Sequence, residues 1–142
     1  MRKVQRLLLD THVWVWLALG MKSKIPGAAL NLIEHAGKTG ELFVSIVSVW
    51  EIALLVARQR IILPMSVHEW ISLALDRPEI KLIGLSKVGT VLDSVALPGG
   101  LHADPADRFL IATARAQRAA LVTHDQRIIE YGSFGHVEVL EI

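Results

Sequence analysis

Four acids stand at junctions between apolar runs and helix starts. Asp10 closes Leu7-Leu8-Leu9, and Asp125 follows Leu121-Val122-Thr123-His124. Glu51 follows the run from Phe43 to Trp50, and Asp107 opens the long helical segment that begins at Asp104-Pro105. If the apolar runs are strands of an open α/β sheet, their carboxyl ends form the edge where such sheets bind ligands. Carboxylates gathered there repel one another and lose solvation, and a hard divalent cation relieves both penalties. The pattern predicts a metal site, and hydrolytic chemistry with it.

Each acid also has a purely structural reading. Ser48-x-x-Glu51 has the form of a capping box, with Ser48 accepting from a backbone N–H and Glu51 reaching back to the Ser48 N–H. Ser66-x-x-Glu69 repeats that form with no apolar strand before it, so Glu69 is an internal control, an acid that capping alone explains. Asp104-Pro105-x-Asp107 reads as an N-cap, a first-turn proline and an acid complementing the helix dipole. Asp10 and Asp125 could each cap the helix they precede. Capping explains any one of these acids. It does not explain why Asp10 and Asp125 both follow apolar strands so closely in a chain with only 14 acids. Jointly they favour a metal site.

The elements that must position these acids alternate in type. Val4 to Leu9 reads as a buried strand and Val13 to Leu19 as a helix. Pro26 suits a first helical position, and Ala28, Leu32, Ile33 and Ala36 carry helical spacing up to Gly37. Leu42 to Ile46 is expected as a strand, Ser48 to Arg60 and Ser66 to Leu75 as helices. Ile80 to Leu85 follows as a strand, Ser86 to Ala96 as a short helix, and Pro98-Gly99-Gly100 as a loop. Asp104 to Ala119 is a helix, Ala120 to Thr123 a strand, Gln126 to Tyr131 a helix and Val137 to Ile142 a last strand. The alternation predicts an α/β fold, a central, mostly parallel sheet flanked by helices on both faces. With no linker or repeat, one domain over residues 1–142 is expected.

Composition narrows the function classes. The chain has 142 residues, enough to bury a core, and 52% are hydrophobic, above the ordinary average. That excess suits a sheet covered on both faces, or apolar surface reserved for a partner. A formal net charge of +1 imposes no long-range attraction for nucleic acid. Local basic patches at Arg58 and Arg60, or at Arg108, Arg115 and Arg118, remain possible beside the reading of solvated helix faces. The absence of cysteine excludes disulfides, thiol catalysis and zinc-thiolate sites. It is compatible with a reducing cytoplasm, the expected location. The basic start and the apolar stretch after it resemble a signal peptide, but Asp10 and His12 interrupt the run. The charge-free stretch from Val13 to Gly20 is far shorter than the ~18 apolar residues of a membrane span.

Other residues are open to two readings. His12, His102 and His124 lie beside the acids, but their spacing gives no paired metal-ligand motif, so loop and strand-end roles are expected. Arg108 could grip an RNA phosphate or pair with a neighbouring acid. Among Trp14, Trp16, Trp50 and Trp70, core packing is the default for Trp50. Trp14 and Trp16 cannot both face one side of a helix, so one is expected at an interface.

The segments Leu7-Leu8-Leu9-Asp10-Thr11-His12, Val47-Ser48-Val49-Trp50-Glu51-Ile52, the run from His102 to Ala114 and Leu121-Val122-Thr123-His124-Asp125 together resemble the PIN-domain family. More narrowly, they resemble the VapC-type toxins of bacterial toxin–antitoxin pairs. The order of the motifs matches, the likeness spans nearly the whole chain, and the long third motif is the most specific. The resemblance implies an endoribonuclease dependent on Mg²⁺ or Mn²⁺, with Asp10, Glu51, Asp107 and Asp125 as metal-site residues. Thr123 would support Asp125, Thr11 and Thr123 would fix carboxylates, and Asp104 would be either a ligand or the cap that aims Asp107. It also implies an RNA substrate, a cognate antitoxin and a homodimer. Rival readings are a metal-dependent phosphohydrolase and a non-catalytic RNA- or partner-binding module. An aspartyl phosphatase of the haloacid dehalogenase type wants a second acid two residues after the first, where this chain has His12. A non-catalytic module would have lost one of the four acids, and all are present.

Overall fold

Side-chain alternation in three short strands decides the architecture. In β1 (Leu7–Leu9) every residue is buried, but toward two different faces. Leu7 and Leu9 join one core cluster with Leu42, Val44, Ala120 and Val122, whereas Leu8 joins a second with Leu121, Phe43 and Val139. A strand buried on both sides must be central, with helices on each face. The computed structural model describes residues 5–101 and 103–142 and shows that arrangement.

The remaining elements are α1 (Thr11–Ala18), a 3-10 turn (Lys22–Lys24), α2 (Gly27–Thr39), β2 (Leu42–Ser45), α3 (Ile46–Ala57), α4 (Val67–Leu75), β3 (Lys81–Ile83), α5 (Val88–Val95), α6 (Pro105–Gln117), β4 (Ala120–Thr123), α7 (Gln126–Ser133) and β5 (Val139–Glu141). The strands form one sheet of order β3-β2-β1-β4-β5. All four pairings are parallel; Leu8, for instance, faces Phe43 on one side and Leu121 on the other. Helices α1 to α4 contribute Trp14, Ile33, Ile52 and Trp70 to the first core, and α6 and α7 contribute Leu110, Ile111, Ile128 and Tyr131 to the second. Helix α5 packs on α6, and α3 also meets α6.

Strand order turns this scaffold into a site. From β1 the chain builds outward to β2 and β3, then returns to add β4 and β5 on the opposite side. The order therefore reverses between β1 and β4, and a crevice opens beyond their carboxyl ends. Asp10 directly follows β1, and Asp125 lies two residues beyond β4.

Several boundaries differ from the sequence expectation for identifiable reasons. Helix α1 begins at Thr11 because Asp10 caps it, accepting from the Thr11 N–H. Pro26 is the cap of α2 and not its first residue, and the buried face is Ala29, Ile33 and Ala36, leaving Leu32 exposed. Helix α2 stops where Gly40 takes a left-handed conformation (φ 75°), which glycine adopts without a Cβ clash. The expected strand start at Val4 and the reading of His102 lie outside the described residues.

Candidate active site

The crevice is assembled from hydroxyls before carboxylates. Thr123, fully buried at the end of β4, donates its hydroxyl to Asp10 Oδ2 at 2.6 Å. The Thr123 hydroxyl oxygen in turn accepts from the Asp125 N–H at 3.0 Å. One side chain thus clamps the acid of β1 to the backbone that carries the acid after β4. The other Asp10 oxygen accepts from the Thr11 N–H at 2.8 Å. On the opposite wall, Thr11 and Ser48 share a hydroxyl–hydroxyl hydrogen bond of 2.8 Å, fastening the start of α1 to the first turn of α3.

That contact overturns the capping reading of Ser48. The cap of α3 is Ser45, which accepts from the Val47 N–H at 3.0 Å. Ser48 lies inside the helix, so Glu51 has no capping duty and projects into the crevice one turn further on. By contrast, Ser66 accepts from the Glu69 N–H at 3.2 Å, and Glu69 is exposed, as expected of a control. Asp104 caps α6, accepting from the Asp107 N–H at 3.0 Å, with Pro105 in the first turn. Asp125 caps α7, accepting from the Arg127 N–H at 2.9 Å. Capping and site membership coexist in Asp10 and Asp125: each leaves carboxylate capacity toward the crevice, since an ionised carboxylate has about four acceptor positions.

The fold brings the acids close enough to act on one another's charge. Asp107 is pushed up to about 7 from an ordinary 3.8, first by burial, then by the charges of Asp104, Asp10, Asp125 and Glu51. Burial also raises Asp10, against the opposing pull of the Thr123 hydroxyl, the Thr11 N–H and His12, while Asp125 adds to the rise. Burial raises Glu51 too; the Thr11 hydroxyl opposes it, and Asp10 and Asp104 reinforce it. Acids that raise one another's affinity for protons at one edge are an arrangement that positive charge would relieve. Among the described residues, no three acids or histidines form a ready-made metal cage. The donor set is nonetheless all oxygen, which suits Mg²⁺ or Mn²⁺.

Arg108 forms no ion pair with an acid among the described residues. Its guanidinium donates to the carbonyls of Ser94 and Leu101, tying α5 and the following loop to α6. Trp50 is 55% exposed on α3, so the core reading fails; the buried positions of that helix are Val47, Ser48 and Ile52. Trp14 is the core member of the α1 pair, and Trp16 is half-buried with His124 against it. Ser48 was not singled out by sequence as a crevice residue. The available signal was its spacing from Glu51, which puts both near one face of a helix.

The four motifs that resemble the PIN-domain family thus lie on a parallel α/β sheet, with Asp10 and Asp125 just beyond the ends of β1 and β4. The PIN-domain model matches residues 7–133, and the chain belongs to this family. It is 34% identical over 122 residues to Ribonuclease VapC22 of Mycobacterium tuberculosis, covering 86% of this chain and 88% of that protein. Its fold is similar to VapBC2 from Rickettsia felis bound to a promoter DNA fragment, with TM-score 0.69, 18% identity and coverage of 96% of this chain and 98% of that one. A toxin–antitoxin complex from Klebsiella pneumoniae is similar at TM-score 0.60 and 17% identity, covering 96% and 99%. Among the described residues no helix is long and apolar enough to cross a membrane.

Proposed function

We propose that this protein is an endoribonuclease dependent on Mg²⁺ or Mn²⁺ that acts as the toxin of a toxin–antitoxin pair. The reading is carried by the placing of Asp10, Glu51, Asp104 and Asp125 around Asp107 at one edge, where burial first and then their charges push the Asp107 carboxyl up to about 7. The likeness to Ribonuclease VapC22 supports the substrate class.

Asp10, Glu51, Asp107 and Asp125 would hold the ion. When bound, it supplies Lewis acidity toward a phosphate oxygen and a water that can attack at neutral pH. The protein's own contribution is orientation. Thr123 and the Thr11 N–H fix both oxygens of Asp10, leaving its remaining lone pairs directed by the fold and not by chance. The Asp104 cap sets the first turn of α6 and so the direction of Asp107. The Thr11–Ser48 pair holds α3 against α1 and keeps Glu51 facing the other acids. Asp104, exposed at the start of α6, is assigned to aiming Asp107, whose N–H its Oδ1 accepts.

Partner contacts have support of a different kind. Helix α5 presents Val88, Leu92 and Val95 at 72%, 64% and 80% exposure, one apolar stripe at helical spacing. Such a face supports a covered surface, consistent with a homodimer and an antitoxin segment. The test of the activity is direct. Purified protein is incubated with bulk RNA and Mg²⁺ or Mn²⁺, then again with excess chelator. Cleavage that chelation abolishes is expected; cleavage that persists in chelator contradicts the metal-dependent reading. Growth arrest on expression, relieved by an adjacent small gene, is the expected cellular counterpart.

A further inference from the structure

A ring cluster beside the acidic edge is left unused by this chemistry. Trp16, on α1, is half-buried. The imidazole of His124, directly before Asp125, meets it edge-on with centroids 4.9 Å apart. His12, directly after Thr11, stands at 6.5 Å, tilted by 57°. Lys24, from the 3-10 turn, places Nζ 5.3 Å from the indole centroid. His12, Lys24 and His124 are all exposed. Trp14 shows what a purely packing tryptophan looks like in the same helix: fully buried, with its ring against Trp70 at 6.0 Å.

We propose that Trp16, His12, His124 and Lys24 form a stacking platform that holds a nucleotide of single-stranded RNA next to the phosphate being cut. The proposal rests on the ribonuclease reading above and names how that substrate is gripped. An edge lined by carboxylates repels RNA, so affinity must come from its flanks. Arg108 is held back toward α5, where its guanidinium donates to the carbonyls of Ser94 and Leu101. The Trp16 cluster combines aromatic faces with a cation and imidazole N–H groups, the combination by which proteins hold single strands without reading sequence. Lys24 lies over the indole as an exposed, flexible side chain. A base stacking there displaces the ammonium sideways, where it meets the nucleotide's own phosphate. Since His124 adjoins Asp125 and His12 adjoins Thr11, a nucleotide so held lies against the clamp that joins Asp10 to β4. A protein segment is the less suitable occupant: the exposed groups around Trp16 are His12, Lys24 and His124, none of them aliphatic.

The experiment measures polarisation of a labelled single-stranded RNA of mixed sequence, at low salt and in EDTA so that turnover is blocked. Wild type, Trp16→Ala, Trp16→Phe, Lys24→Ala and the exposed control Phe134→Ala are compared. Trp16→Ala is expected to weaken binding about tenfold, with Trp16→Phe restoring most of it and Phe134→Ala matching wild type. Lys24→Ala, an exposed change, is expected to weaken binding severalfold without altering thermal stability. In cleavage assays with Mn²⁺ both variants should raise KM and leave kcat near wild type. RNA affinity unchanged within about twofold in both Trp16→Ala and Lys24→Ala overturns the platform. Cleavage by wild type is scored separately, so failure of the nuclease reading leaves the binding comparison decisive.

Discussion

Asp107 is the residue on which the site's chemistry turns. Its carboxyl is raised from 3.8 to about 7, so between those values the metal-free folded protein holds a proton that the unfolded chain has released. Folded-state proton uptake of this sign stabilises at low pH and is lost as pH rises toward 7. In chelator, the melting temperature should therefore fall from pH 4 toward pH 7 through this group, and Asp107→Asn should flatten that part of the profile. An unchanged profile in the variant would place the effect elsewhere. Ion binding must displace the proton, so apparent Mn²⁺ affinity should drop about tenfold for each pH unit below about 7, read by titration calorimetry in two buffers of different ionisation enthalpy. A pH-independent affinity would remove Asp107 from the ligand set. Thr123 makes a complementary prediction. Thr123→Val deletes both the 2.6 Å donation to Asp10 and the acceptance from the Asp125 N–H. A loss of about 1–3 kcal/mol in stability and tenfold or more in metal affinity is expected by denaturation and calorimetry.

At the scale of elements, α6 separates aiming from ligation. Asp104→Asn keeps an N-cap acceptor and removes the charge, whereas Asp104→Ala removes both. If Asp104 only aims Asp107, the Asn variant retains stability and most cleavage, while the Ala variant loses about 1 kcal/mol and cleaves more slowly. Loss of cleavage in both, with stability retained in the Asn variant, would make Asp104 a ligand. The cap and the first-turn acid were legible in the sequence as Asp104-Pro105-x-Asp107, which left open whether Asp104 also ligates. The start of α3 was not. The run from Phe43 to Trp50 passes from strand to helix with only Ser45 and Ser48 as polar punctuation, and both are fully buried. Either serine could cap on local grounds; tertiary contact with Thr11 decides that Ser45 does. Trp50 was misassigned for a different reason: in a helix apolar on nearly every side, residue type does not say which face turns inward, and here Val47, Ser48 and Ile52 do.

The whole molecule explains why the acids meet at all. The β-then-α alternation announced a parallel sheet, and the strand-end positions of Asp10 and Asp125 announced an edge. The order β3-β2-β1-β4-β5 depends on which strands pair across the chain, and no local pattern encodes it. That order makes β1 central, so its interior is the foundation of the site. Leu8→Ala, at a side chain with no exposure, should cost about 2–5 kcal/mol in denaturant unfolding. Leu82→Ala on the edge strand β3, at 45% exposure, should cost much less. Equal costs would contradict the central placement of β1. The central claim, that the carboxylates at this edge cleave RNA, is tested most directly at Asp10, which β1 and β4 jointly hold. Asp10→Asn preserves size and a hydrogen-bond acceptor while removing the charge. Wild type and this variant, shown by circular dichroism to be equally folded, are compared on one RNA substrate with Mg²⁺ or Mn²⁺. Cleavage by wild type and a loss of a hundredfold or more in the variant are expected, on the order of an essential metal ligand. Equal cleavage by the two proteins would contradict the account.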